Sequence, residues 1–170
     1  PQGDAFVRAS AERRVASVHG REGRLDVEGG LEDLVVLKTA RSGFAGFIRD
    51  RYTTLAETDD RLMATSVSAR WRYRDAELDF DVCWSRARTA LLQRFAEHDS
   101  RSVQHTLYAM AEAALDACPE ILEVRMSLPN RHHLLVDLSP FGLPNRNEIF
   151  VPAEEPHGLI EAVVTRDRPA

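Results

Sequence analysis

The feature that most constrains the fold of this chain is a change in the spacing of its apolar residues near residue 80. Between Val67 and Tyr73 apolar and polar residues alternate strictly, which is typical of a half-buried antiparallel strand. Over 81–97 and again over 103–118, apolar residues recur every three or four positions instead, as in amphipathic helices. Ser102 stands where the second helix needs an N-cap. The chain is therefore expected to pass from a strand into two helices.

Further strand-like segments lie on both sides of these helices. In chain order, the predicted strands are 5–18, 31–38, 61–74, 122–128, 132–138, 148–151 and 159–165. We expect turns at 19–23 and at Gly29-Gly30, and Pro129-Asn130-Arg131 predicts a hairpin between two later strands. Residues 39–60 are expected to form a long irregular excursion. This order of elements predicts an α+β fold, with one antiparallel β-sheet backed by two helices.

The length and the net charge of the chain argue against several classes of protein. The chain of 170 residues suits a single domain over 1–170, and its hydrophobic content of 44% is enough for a core. Its 22 basic and 27 acidic residues give a net charge of −5, which argues against non-specific nucleic-acid binding and a polybasic membrane anchor. No apolar run approaches the roughly 20 residues of a membrane span. Cys83 and Cys118 lie in apolar helical patterns and are expected to be core residues rather than a disulfide.

No nucleotide-binding or metal-binding motif is present, and no metal site is predicted. His132 and His133 are adjacent in a predicted strand, so their side chains point to opposite faces and do not easily share one ion. His132 has the same parity as the apolar Leu134 and Val136. A core histidine is the simpler interpretation, although a position at a strand start beside a turn also lets the side chain reach a cleft.

Four other residues have an ordinary structural explanation and a functional alternative. Arg61 is in phase with the apolar face of the strand that ends at Tyr73, so it needs either a carboxylate or a planar ligand held by two hydrogen bonds. Phe44, in the irregular segment, is either a packed side chain or a stacking platform. Val103 and Gln104 lie in the first turn of the second helix, where free N–H groups favour anionic or carbonyl-rich ligands. Taken singly, each residue is better explained by structure than by function.

The whole series of motifs, however, resembles the C-terminal half of urate oxidase (uricase). Order and spacing agree from about residue 4 to 166. The matching stretches are Leu37-Lys38-Thr39, Ser42–Asp50, Tyr52-Thr53-Thr54-Leu55, Asp60-Arg61, Phe95-Ala96-Glu97, Ser102-Val103-Gln104, Ser127-Leu128-Pro129-Asn130, Val136-Asp137-Leu138 and Gly158-Leu159-Ile160. The resemblance is closer to bacterial members, and the last residues, 168–170, lack the Ser-Lys-Leu peroxisomal address, so a bacterial cytoplasmic location is expected.

The resemblance implies a tunnelling fold, in which sheets backed by helix pairs assemble into a larger barrel. Members of the family carry two such domains in tandem and form homotetramers. They oxidise urate with O₂ to 5-hydroxyisourate and H₂O₂, and they use no metal or organic cofactor. The expected ligands of this chain are therefore urate and O₂, with neither nucleic acid nor membrane as a partner.

The resemblance also implies a role for each matching residue. Phe44 resembles the ring that stacks on the purine, and Arg61 the guanidinium that binds one edge of urate. Gln104 resembles the amide that pairs with the opposite edge, with the Val103 N–H beside it. Asn130 and His132 complete the set: Asn130 resembles the residue near the O₂ or water site, and His132 the histidine of the proton relay.

One departure affects all of these expectations. In the family, the relay also needs a Lys and a Thr from the N-terminal half, and this chain lacks that half. We therefore expect another polypeptide to supply it, and the alternative is a non-catalytic purine-binding or interaction module, a uricase fragment. A different tunnelling-fold enzyme, acting on a pterin with zinc, is disfavoured because no His or Cys cluster is visible in the sequence.

Overall fold

The computed structural model describes residues 3–8, 11–54, 56–153, 155 and 157–166. Within these residues it contains seven strands, two helices and one 3-10 turn. The strands are β1 (Ala5–Val7), β2 (Arg13–Arg21), β3 (Arg24–Lys38), β4 (Met63–Tyr73), β5 (Ile121–Leu135), β6 (Phe150–Ala153) and β7 (Leu159–Thr165). The helices are α1 (Phe80–Glu97) and α2 (Val103–Ala117), and the 3-10 turn is Ser139–Phe141. No helix among the described residues is long and apolar enough to span a membrane.

All strand pairs in the sheet are antiparallel. The order is β1-β3-β4-β5-β6, while β2 also pairs with β3 and β7 also pairs with β5. The two helices pack against the sheet through a core in which Trp71, Leu91, Phe95, Leu107 and Met110 are almost completely buried. This arrangement is the predicted antiparallel sheet backed by two helices.

The central elements follow the sequence pattern closely. Every residue of β4 at the parity of Met63 is buried, and from Val67 onward the residues between them are only partly buried. The α2 helix begins where predicted, because the Ser102 hydroxyl accepts a hydrogen bond from the N–H of His105 at 3.1 Å. Hydrophobic periodicity therefore predicted the layer that carries most of the core.

The prediction of a turn at Gly29-Gly30 is wrong. Both glycines lie inside β3, opposite Trp71 and Arg70 of β4. A Cβ on Gly29 would lie 2.7 Å from the Tyr73 hydroxyl and 2.8 Å from Trp71 Nε1, and a Cβ on Gly30 would lie 2.4 Å from the carbonyl oxygen of Ala69. The glycines are required because large aromatic side chains and the neighbouring backbone occupy the space of a side chain.

The predicted hairpin at Pro129-Asn130-Arg131 is also wrong. These residues lie within β5, which continues without a turn and changes partner instead. Up to Arg131, β5 pairs with β4, and up to Pro129 also with β7, whereas from His132 to Leu135 it pairs with β6. Pro129 is tolerated in a strand because this is the point at which the pairing changes.

The predicted N-terminal strand 5–18 is two strands, β1 and β2, and residues 9–10 between them lie outside the described residues. The turn predicted at 19–23 is confined to Glu22 and Gly23, which join β2 to β3. Their φ angles are 50° and 77°, and two positive values are what a two-residue type I′ hairpin turn requires.

Candidate functional site

Phe44 and Arg61 are in direct contact. The Arg61 guanidinium carbon lies 5.0 Å from the centroid of the Phe44 ring. Phe47 stacks on the same ring, with centroids 4.7 Å apart and planes inclined by 17°, so one face of Phe44 is already covered. Two mutual hydrogen bonds with Thr58, at 2.7 and 3.1 Å, hold the Phe44 backbone in place. The irregular segment thus presents an aromatic ring next to a cation.

Arg61 has unused hydrogen-bonding capacity. Its Nε is buried and has no hydrogen-bond partner, and no carboxylate pairs with Arg61 within the part of the chain that the structure describes. Burial lowers the pKa of its guanidinium. An arginine remains charged at neutral pH even so, because its ordinary pKa is far above 7. A partly desolvated cation without an anionic partner favours the binding of an anion.

The segment that carries Phe44 is tied to the start of α2. Gly43 donates a backbone hydrogen bond to the carbonyl of Ser100 at 2.8 Å, and Ser42 forms a parallel bridge with Ser100. The Ser100 hydroxyl donates in turn to the carbonyl of Ser102, the α2 N-cap, at 3.0 Å. Val103 and Gln104 follow directly, so their position depends on the same short run of hydrogen bonds as Phe44.

The first turn of α2 offers donors to a ligand. Val103 and Gln104 are its first two residues, and their N–H groups have no acceptor within the helix. The Val103 side chain is buried and anchors the turn, whereas the Gln104 side chain is exposed. The positive end of the helix dipole adds to the attraction for an anion.

Asn130 and His132 lie on β5, beside the start of β4. Asn130 stands opposite Thr65, and its backbone N–H donates to the carbonyl oxygen of Gly158 at 2.8 Å. His132 stands two residues further along and is half-buried. It lines a cleft of about 600 Å³ together with Ala64, Arg131, His133 and His157, among others.

The structure therefore groups the predicted site residues in two sets. Phe44, Arg61 and the start of α2 form one set, and Asn130 and His132 on the neighbouring strand form the other. The cleft that holds His132 reaches from β3 across β4 and β5 to β6, and its lining includes neither Phe44 nor Arg61. The expectation that His132 lies on a buried apolar face needs correction, because Leu134 is exposed beyond the point where β5 leaves its first partners.

Four buried polar side-chain atoms have no hydrogen-bond partner among the described residues. They are Arg61 Nε, Ser42 Oγ, Thr65 Oγ1 and His98 Nε2. Burying a polar atom without a partner costs roughly 1–3 kcal/mol. All four belong to the segments 42–65 and 98–104, which we term the site end of the helix pair. Such a concentration is typical of a surface that is completed by a ligand or a partner.

Lys38 is a supporting residue of this region that the sequence analysis did not single out. Its side chain is completely buried, and its ammonium group donates to the carbonyls of Phe95, at 3.3 Å, and of His98. It thereby caps the end of α1 and holds the segment that leads to Ser102. Burial is the main cause of its lowered pKa. A signal was available, since Lys38 shares the parity of the buried Leu34 and Val36.

His98 is a second residue that the sequence analysis missed. Burial, with further contributions from His105, Lys38 and Arg94, lowers the pKa of its imidazole to about 4. The rings of His98 and His105 meet edge-on, with centroids 4.4 Å apart. His98 is therefore neutral at pH 7.

Comparison with known proteins shows which family this chain is similar to. The uricase family model matches residues 27–161. Uricase from Arthrobacter globiformis is 50% identical over 163 residues, which cover 96% of this chain and 54% of that protein. Its crystal structure superposes with a TM-score of 0.91 at 48% identity and covers 96% of this chain. Uricase from Danio rerio is 41% identical over 145 residues, 82% of this chain and 49% of that protein.

These matches confirm the resemblance inferred from the motifs, the bacterial type and the α+β tunnelling fold. The chain spans about half the length of the curated relatives that it matches. Since the family model covers most of the chain, this protein belongs to the uricase family.

Proposed function

We propose that this chain supplies the urate-binding half of a urate oxidase active site, which is completed by an N-terminal half like that of its relatives. The reaction is urate + O₂ + H₂O → 5-hydroxyisourate + H₂O₂, without a metal or organic cofactor. The observation that carries the proposal is the buried, unpartnered Nε of Arg61 beside the Phe44 ring. The names of the relatives, all uricases, support urate as the anion.

The chemistry of urate matches the groups of the site end. Urate is a flat anion with donors and acceptors on both edges. The Arg61 guanidinium would bind one edge with two hydrogen bonds, and the Phe44 ring beside it would stack on the purine. The Val103 N–H and the Gln104 amide would take the opposite edge, at the positive end of α2. Binding at both edges fixes the ring for attack by O₂.

Asn130 and His132 would act on the oxygen and proton side of the reaction. Oxidation of the ring requires a proton to leave urate and protons to reach the reduced oxygen. His132 lies in an open cleft and can exchange protons through its ring nitrogens. Asn130, two residues away on the same face of β5, would hold O₂ or water by its amide. The relay Lys and Thr of the N-terminal half would complete the transfer.

An exposed apolar surface on the far part of β5 supports assembly with that half. Leu134, Leu135 and Val151 expose about half of their side chains, and Phe141 exposes 77%. Such a surface is typical of a protein–protein interface, and the unpaired edges of the sheet add open hydrogen-bonding positions. We propose that the assembled protein is a tetramer of full-length equivalents, located in the bacterial cytoplasm.

The first test combines this chain with a separately produced N-terminal half of a uricase in aerated, metal-free buffer. We expect loss of urate absorbance and release of peroxide only when both halves are present. Urate binding without peroxide in the mixture would instead favour the alternative, a non-catalytic purine-binding module. Absence of both binding and turnover would contradict the proposal.

Two substitutions assign the roles within the assembled protein. Arg61→Ala should weaken urate binding by roughly 1.5–3 kcal/mol, the contribution of a charged hydrogen bond, with Arg24→Ala on the exposed β2–β3 hairpin as the control. His132→Ala should leave urate binding intact and lower turnover, with exposed His19→Ala as the control. If Arg61→Ala leaves urate affinity unchanged while His132→Ala unfolds the chain, both residues are structural.

A further inference from the structure

The two cysteines meet a carboxylate at the end of the helix pair opposite the site end. Cys83 lies in the first turn of α1, Cys118 is the C-cap of α2, and Glu120 lies in the short link to β5. One ligand atom from each residue lies within 4.8 Å of the other two. Both cysteines are free thiols and are buried, while Glu120 is half-exposed. This grouping comes from packing, since most of α1 and all of α2 lie between Cys83 and Cys118 in the sequence.

The spacing of these atoms suits a soft metal ion. Cys118 Sγ lies 3.2 Å from Glu120 Oε2. In a tetrahedral zinc site, metal–ligand bonds of about 2.3 Å to sulfur and about 2.0 Å to oxygen place the two ligand atoms roughly 3.5 Å apart. The thiol and the carboxylate are thus already near the separation that coordination needs. We propose that Cys83, Cys118 and Glu120 bind one thiophilic divalent cation of the zinc or cadmium class.

The charges and protons can be counted for the binding of one divalent cation. Two thiols lose their protons to solvent, and two thiolates and one carboxylate then surround a cation of charge 2+, which leaves a net charge of −1. Arg74 and Arg86 act on Glu120 electrostatically and offset that charge. A water molecule reaching the cation from the half-exposed Glu120 side would complete a four-coordinate site.

The metal-free state explains why such a site remains compatible with a hydrophobic core. Burial is the main cause that raises the pKa of the Cys118 thiol far above its usual range. Cys118 is therefore protonated at pH 7 when no cation is bound, and both cysteines pack as weakly polar core residues. A cation would have to displace their protons, so its affinity should increase with pH.

The site is structural rather than catalytic. Val103 and Cys118 stand at opposite ends of α2, about 22 Å apart at 1.5 Å per residue. A cation at Cys118 is therefore remote from the groups proposed to bind urate. It would join the start of α1, the end of α2 and the start of β5, and it would raise stability because it binds the folded chain. The inference does not rest on the proposed function.

The test is a cadmium titration of the reduced, metal-free 170-residue chain. We expect one cadmium ion per chain, the ultraviolet charge-transfer absorption of cadmium–thiolate bonds, and a higher Tm. Cys83→Ser should abolish the absorption. Glu120→Gln, which keeps both buried cysteines, should reduce cadmium affinity at least about tenfold, whereas Glu112→Gln on the exposed face of α2 should not change it.

Three results would overturn the proposal. The first is cadmium bound without thiolate absorption, which would place it on histidines elsewhere. The second is equal cadmium affinity in Glu120→Gln and the unaltered chain. The third is a chain that, before reduction, contains no titratable thiol when denatured, because the cysteines would then be paired as a disulfide.

Discussion

At both ends of the helix pair, a long cationic side chain donates hydrogen bonds to the last carbonyls of a helix. The two ends differ in whether their buried polar atoms all have hydrogen-bond partners. At the site end, Lys38 caps the carbonyls at the end of α1. At the other end, which we term the closed end, Arg166 donates to the carbonyls of Leu115, Cys118 and Ile121 around the end of α2. Among the described residues, all four buried polar atoms without a partner lie at the site end.

Because of this difference, we expect the closed end to contribute mainly to stability and the unpartnered groups of the site end to contribute to binding. A buried polar atom without a partner lowers stability, and a concentration of four in one region shows that packing there does not satisfy the protein's own groups. At the closed end the long arginine side chain removes that cost. The predictions below test whether residues at the two ends respond to substitution as this comparison requires.

The largest effect on stability is expected for Lys38→Met. The substitution keeps the length of the side chain but leaves the carbonyls of Phe95 and His98 without their charged donor, so the free energy of unfolding should fall by about 3 kcal/mol. Urea unfolding measures it, with exposed Arg94→Met in the last turn of α1 as the control. A loss no larger than that of the control would mean that these carbonyls do not depend on the ammonium group.

Arg166→Met should have the next largest effect. The α2 carbonyls lose a charged donor, but the guanidinium is half-exposed, and water can replace part of what is lost. We expect the free energy of unfolding to fall by about 2 kcal/mol in urea unfolding, with exposed Arg146→Met as the control. If Arg166→Met is as stable as its control, the hydrogen bonds of Arg166 to these carbonyls do not stabilise the fold.

His98 should make stability depend on pH at the site end. Its pKa is about 4 in the folded chain and near 6.5 when unfolded, so the unfolded chain binds the proton more tightly. Stability should therefore be complete above pH 6.5 and decrease as the pH falls from 6.5 towards 4. Relative to the unaltered chain, His98→Gln should show a flatter dependence in this window, and exposed His19→Gln should not. Parallel curves for all three would exclude His98 as the cause.

The smallest effect on stability is expected for Arg61→Met. Its Nε is buried without a partner, so removal of the charge should leave the free energy of unfolding unchanged or raise it by up to about 1 kcal/mol. The sign is thus opposite to that for Arg166→Met, although both substitutions remove a half-buried arginine. Thermal unfolding of the two variants side by side measures the contrast, and an equal loss in both would remove the distinction between the ends.

Much of the fold could be predicted from local pattern, and the errors have a common cause. The alternation in β4 and the spacing in α1 and α2 predicted the central layer because burial follows backbone period. Local pattern predicts turns at Gly29-Gly30 and at Pro129, because glycine and proline usually interrupt strands. Their actual roles, close approach to Trp71 and a change of strand partner, depend on neighbours distant in sequence.

The candidate site was predictable to a similar degree. The parity of Arg61 and the start of α2 pointed to individual groups, and the family resemblance joined them. The missing partners of Ser42, Thr65 and His98 could not be predicted, because the lack of a hydrogen bond is a property of the packed structure. The roles of the site residues remain predictions until the substitutions are made. The tail residues used for localisation, 168–170, lie outside the described residues.

The continuity of β5 has a consequence for the tolerance of this gene to insertions and deletions. Asn130 and His132 share one strand with Val124 and Leu128, which are buried in the core. Successive side chains of a strand point to opposite faces. Adding or removing one codon between Leu128 and Asn130 would therefore turn both site residues to the opposite face, while the part of β5 before Pro129 kept its register. Sequence drift in β5 should therefore proceed by substitution and not by change of length.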